Sequence, residues 1–122
     1  MSDDKKIFEL YLENVEKPQM VEDAHGNKKW YLHGEPHRED GPAVELANGF
    51  KSWWLHGRLH REDGPAVEYI DGSKEWWLNS MWYNSTHSWG RAVLSKRNQP
   101  HDDAAIDAFL RPILKKGVEE AL

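Results

Sequence analysis

The sequence repeats every 23 residues, and no other feature limits its possible folds so strongly. Gly26, Gly49 and Gly72 keep this step, as do Lys28, Lys51 and Lys74. Trp30, Trp53 and Trp76 follow it, together with Leu32, Leu55 and Leu78. The run His37-Arg38-Glu39-Asp40-Gly41-Pro42-Ala43-Val44-Glu45 returns unchanged as His60 to Glu68. Three units therefore fill residues 19–85, flanked by an N-terminal segment, 1–18, and a C-terminal segment, 86–122. The third unit decays from Asn79 to His87, where the His-Arg-Glu-Asp-Gly pattern is lost. A final repeat can diverge in this way because it presents no edge to a successor.

Each unit reads as a β-hairpin. Asn48-Gly49 and Asp71-Gly72 carry the residues of a two-residue type I′ turn, with both central φ angles positive. A short strand near Val44 or Val67 precedes the turn, and a longer one such as Lys51–His56 follows it. Gly34 and Gly57 end the long strands, and Asp-Gly-Pro at 40–42 and 63–65 bends the chain into the next unit. Short hairpins at this spacing stack edge to edge into a twisted antiparallel sheet.

The run Trp-Trp-Leu-His-Gly-Arg-Leu-His-Arg-Glu-Asp-Gly-Pro-Ala, from Trp53 to Ala66, resembles the MORN (membrane occupation and recognition nexus) repeat. It looks most like a MORN-like variant common in small proteins of tailed bacteriophages. The likeness covers roughly residues 19–85. It implies a single-layer sheet of hairpins with a binding role, and it brings no catalytic residues. Ordinary MORN units carry Tyr-x-Gly before the Trp, whereas this chain has Ser73-Lys74-Glu75 and its equivalents. That departure weakens any transfer of the lipid-binding idea attached to the family.

Side chains alternate across a strand, so the long strands sort into two faces. One carries Trp30, Trp53 and Trp76 with the repeated leucines and lysines. The other carries Tyr31, Trp54 and Trp77, continuing to His33, His56 and Asn79. Covers for the sheet are available at the chain ends. Ala105, Ile106, Phe109, Leu110, Ile113 and Leu114 form one stripe of a helix that Asp102 or Asp103 would cap. Gly117 suits its C-terminal stop, and Pro112 is expected to kink it or to start a second turn. A shorter helix from Ser85 or Thr86 to Arg97 would present Trp89, Ala92 and Val93. Near the N-terminus, Ile7, Phe8, Tyr11, Leu12 and Val15 suit a helix, while Phe8, Leu10 and Leu12 suit a strand. Helix is favoured, although Lys5-Lys6 stands 23 residues before Lys28-Lys29 as a degenerate strand would. The fold class is therefore α+β, a single-layer antiparallel sheet of tandem MORN-like hairpins with terminal helices.

His60 and Asp63, with their copies His37 and Asp40, invite a hydrolase or nuclease reading, since a base and a carboxylate lie three residues apart. Repetition argues for a structural role instead, because one active site needs no second copy. Among other catalytic signatures, Gly-x-Ser-x-Gly, the phosphate-binding glycine loop and the zinc-protease motif are missing from the sequence. It contains no cysteine, hence no thiolate nucleophile, disulfide or Cys-based zinc site. We expect no enzyme activity, cofactor or metal.

Net charge is −5, and residues 19–89 hold seven Lys or Arg against eleven Asp or Glu. Nucleic acid and anionic membrane are thus unexpected partners. No apolar run reaches the roughly 20 residues that cross a bilayer, and Met1 to Lys6 lack the apolar core of a signal peptide. The expected setting is a reducing cytoplasm, that of the host cell under the phage resemblance. The expected function is non-catalytic protein–protein interaction, as an inhibitor or adaptor that occludes a host protein, an antiviral-defence component being one such target. The residues that would carry it are Tyr31, His33, Trp54, His56 and Trp77 on the aromatic face, with Glu62 and Asp63 at its rim. The alternative for this face is a second buried layer beneath the N-terminal segment. The partner's identity and any homo-oligomerisation are open at this level.

Overall fold

Each 23-residue unit resolves into two antiparallel turns of different kinds. A computed structural model describes residues 4–7 and 17–121, with side chains as far as Lys115. Residues 4–7 are helical, and the rest of the expected N-terminal helix, 8–16, lies outside the described residues. The strands are β1 (Gln19–Glu22), β2 (Lys28–Leu32), β3 (Glu35–Pro36), β4 (Val44–Glu45) and β5 (Lys51–Ser52). They continue as β6 (Trp54–Leu55), β7 (Arg58–Leu59), β8 (Val67–Glu68), β9 (Lys74–Leu78) and β10 (Met81–Tyr83). Two helices follow, α1 (Thr86–Lys96) and α2 (Asp103–Ala121). The main sheet runs β1-β2-β4-β5-β8-β9-β10 with all neighbours antiparallel; β3 pairs with β2, and β6 with β7. The fold is thus α+β, an antiparallel sheet of short hairpins with two C-terminal helices.

The Asn-Gly turn is not the type I′ turn that its dipeptide suggests. Leu46 N–H donates to Phe50 O at 2.9 Å and Gly49 N–H to Leu46 O at 3.0 Å, which closes a three-residue loop. Only Gly49 has a positive φ there, +100°, as in a type I turn followed by a glycine bulge. Asn48 Oδ1 accepts the Phe50 N–H at 3.0 Å, and Asp71 Oδ1 accepts that of Ser73 at 2.9 Å. Such local side-chain bonds hold the Asx residue in the type I arrangement.

The type I′ pairs lie instead at His33-Gly34, His56-Gly57 and Asn79-Ser80. All six residues have φ between 48° and 79°, and the strands close around two-residue loops, Leu32↔Glu35, Leu55↔Arg58 and Leu78↔Met81. Histidine and asparagine enter the left-handed region several times more readily than most residues. Ser80, at φ 65°, stands where the first two units have glycine. A non-glycine residue there costs about 1–2 kcal/mol, partly offset by the roughly 0.5–1 kcal/mol of extra backbone entropy that glycine loses. Ser80→Gly should therefore raise stability by about 0.5 kcal/mol, read as a higher midpoint in urea unfolding. An unchanged or lower midpoint would contradict this account of the turn.

The core lies where the last strands meet the helices. Trp76, Leu78, Trp89, Val93, Leu94, Ile106 and Leu110 form it, with Tyr83 and Phe109 packed alongside. Ser85 caps α1, its side chain accepting the Ser88 N–H, and Asp102 Oδ1 accepts the Ala105 N–H at the start of α2. Gly90 permits the helices to approach, since a Cβ there would lie 3.1 Å from Leu110 Cδ2. One expectation for α2 is corrected. Pro112 lies inside the helix, and Gly117 does not stop it, since α2 runs on to Ala121. A lone glycine costs a helix interior only about 1 kcal/mol relative to alanine, too little to end it unaided.

Candidate functional site

The repeated nine-residue run turns out to be a set of interlocking contacts. His37 and His60 are buried. Their Nδ1 atoms accept backbone N–H groups from the next unit, His56 at 2.9 Å and Asn79 at 3.0 Å. That acceptance places the ring proton on Nε2, which in His60 donates to Glu62 Oε2 at 2.9 Å. Arg38 and Arg61 sit over Trp30 and Trp53, each Cζ 3.9 Å from the ring centroid. Their Nε groups donate to Asp40 and Asp63, and their Nη1 groups to the carbonyls of Pro42 and Pro65. Gly41 and Gly64 leave room for the guanidinium groups; a Cβ would fall 2.9 Å and 2.6 Å from the arginine Cζ. Ala43 and Ala66 are fully buried, and their carbonyls accept the backbone N–H groups of Trp30 and Trp53 at 2.8 Å.

Burial, reinforced by the neighbouring His56, holds the His37 imidazole below its ordinary value of 6.5, against the pull of Glu39. A depressed imidazole favours the neutral folded state, so its contribution is complete above about pH 6.5. It is lost progressively as the pH falls below that value, because the unfolded chain then binds the proton more readily. Urea midpoints should accordingly drop between about pH 6.5 and 5. The drop should be shallower in His37→Asn, which keeps an acceptor for the His56 N–H without a titrating ring. Equal slopes for the two proteins would remove His37 from the explanation.

The expected site residues fall in three places rather than one. Tyr31, Trp54 and Trp77 are half-buried in β2, β6 and β9. In β9, Trp77 alternates with Trp76 and Leu78, so it turns away from the helical core. The indole N–H of Trp54 donates to Ser52 Oγ at 2.8 Å and that of Trp77 to Glu75 Oε1 at 3.0 Å. Each of these two indoles thus bonds the residue two places before it in the chain. His33 and His56 are the turn centres described above, both exposed, and the His56 ring stands 4.3 Å from that of buried His37.

Glu62 and Asp63 belong to the interlocking loop on the helical side. Although partial burial works the other way, hydrogen bonds from His60 and Arg97 and the charge of Lys96 hold the Glu62 carboxyl below its usual range. Asp63 is 83% exposed and bonded to Arg61. Among the described residues, no group of three or more His, Asp or Glu is placed to hold a metal ion. None of the described helices is long and apolar enough to cross a membrane.

Sequence reasoning passed over Trp82. The β9–β10 register sets it directly opposite Trp77, on the same face, and it is 56% exposed. The signal was present in the spacing, since a two-residue turn at 79–80 pairs Trp77 with Trp82. Arg97 and Lys96 were also missed, and they join α1 to the loop of the second unit. Comparison with family models, with curated proteins and with solved structures finds no match for this chain.

Proposed function

We propose that this chain is a non-catalytic protein-binding module, a phage-encoded inhibitor or adaptor that acts on a host protein by steric occlusion. The observation that carries the reading is the pairing of exposed Trp82 with half-buried Trp77, on a face turned away from the helices. Tyr31 and Trp54 occupy the positions equivalent to Trp77 in the preceding units. Tryptophan and tyrosine anchors dominate the energetics of protein interfaces. The net charge of −5 favours a protein partner over nucleic acid or an anionic bilayer. The engagement of both His60 ring nitrogens supports a structural role for the His-Arg-Glu-Asp loops. The phage and host setting rests on the MORN-like resemblance of the repeats.

The test is tagged purification from bacterial lysate, comparing the wild-type protein with Trp82→Glu. Trp82 is mostly exposed, so the variant should unfold within about 0.5 kcal/mol of wild type. A stoichiometric protein partner retained by wild type and lost by Trp82→Glu is the expected result. A partner held equally by both proteins would move the interface elsewhere, and none at all would sink the reading.

A further inference from the structure

Helix α1 sits in a seat that the repeat has built twice. In the third unit, Trp89 packs on Trp76 with ring centroids 4.7 Å apart, and its Nε1–H donates to Arg61 O at 3.2 Å. Eight residues later, Arg97 donates to the Glu62 side chain and carbonyl, each at 3.2 Å, with Lys96 3.7 Å from the same carboxylate. One period earlier, these partners become Trp53, Leu55, the carbonyl of Arg38, and Glu39. At that place the structure has an open cleft of about 490 Å³, lined by Arg38, Glu39, Trp53 and Leu55 among others. Glu39 is 83% exposed there, whereas its counterpart Glu62 is 32% exposed beneath the basic end of α1. Trp53 and Leu55 are likewise half-buried where Trp76 and Leu78 are buried.

We propose that this cleft docks an amphipathic helix of a partner protein whose chemistry matches that of α1. The partner helix supplies an aromatic N–H donor for Arg38 O and a Lys or Arg about two turns later for Glu39. The exposed carboxylates of Asp40 (85%) and Asp63 (83%) on the same rim also favour a basic helix. One difference from the filled seat shapes the ligand. Arg61 roofs Trp53, whereas the third unit has Asn84 at the equivalent position. The incoming aromatic ring therefore meets a guanidinium, a favourable cation–π partner. This surface lies on the helical side and does not depend on the aromatic face invoked above.

The probe is a fluorescein-labelled peptide of residues 84–99 of this chain, held helical by a hydrocarbon staple replacing Arg91 and Ser95. Both of those residues are exposed in α1. Anisotropy titration against the intact protein should show saturable one-to-one binding. Glu39→Lys should weaken it by about tenfold, and a peptide carrying Arg97→Glu should recover affinity for that variant. Amide shifts should move at residues 38–42 and at the Trp53 indole. Trp82→Glu should bind the peptide as wild type does, so failure here is distinct from failure of the aromatic-face reading. The proposal is overturned by absent saturation or by indifference to Glu39→Lys. Shifts confined to residues 61–63 and Trp76 would also overturn it, since the peptide would then be displacing the chain's own helix. A dimer of the intact protein in sedimentation, dissociated by the peptide and weakened by Glu39→Lys, would make the occupant a second copy and equally overturn it.

Discussion

Replacing Trp89 with alanine should remove about 3–5 kcal/mol of stability, among the largest losses expected from truncating a described side chain. The ring is fully buried, lies 4.7 Å from Trp76 and stacks on Phe109 at 5.8 Å. It also provides the N–H that satisfies Arg61 O. Domains of this size hold about 5–15 kcal/mol in total, so the loss is a large share of what keeps the helices on the sheet. Urea unfolding followed by far-ultraviolet circular dichroism reads it directly. Trp89→Phe should cost less, since it keeps most of the apolar volume and forfeits the bond to Arg61. A loss below about 1 kcal/mol for the alanine variant would show that the cap is not the core.

The second large effect concerns the clamp around Arg61, and its sharper form is a comparison of pairs. Arg61→Ala uncovers Trp53 and strips partners from Asp63, Glu68 and the Pro65 carbonyl, at a cost of about 2–3 kcal/mol. Gly64→Ala drives a methyl to 2.6 Å from the Arg61 Cζ, where the pinned guanidinium cannot easily yield, and should cost about 1–3 kcal/mol. The double variant should be no less stable than Arg61→Ala alone, because the clash disappears with the guanidinium. Chemical denaturation of the three variants checks this. Additive losses would mean that Gly64 is needed for its backbone rather than for the space it leaves. The equivalent Gly41→Ala should be milder, its Cβ falling 2.9 Å from Arg38 Cζ.

The period made the hairpins and their order legible, and helical spacing placed α1 within a residue of its observed ends. The turn chemistry was harder. Asn-Gly is a strong type I′ signal in isolation, but pairing Val44 with Ser52 leaves three residues between Leu46 and Phe50. The bulged turn is the one that fits. Conversely, His-Gly reads as an ordinary strand end until the register places it between Leu55 and Arg58. The candidate site was partly legible for a similar reason. Alternation separates Trp77 from Trp76, but only pairing across β9 and β10 brings Trp82 beside it. Nothing local in Glu62 announces that Arg97, 35 residues away, will close over it.

The two identical nine-residue runs share their contacts to the following unit as well as their letters. Each reaches forward to the turn of the unit that follows, His37 Nδ1 accepting the His56 N–H and His60 Nδ1 that of Asn79. Unequal recombination between their coding segments would delete or add one complete period without shifting a junction. Every bond severed between neighbours would be remade with an equivalent partner, and the helices would still close the last unit. The architecture thus tolerates changes in its own copy number, so the length of such an array can drift by whole units while each intermediate remains foldable.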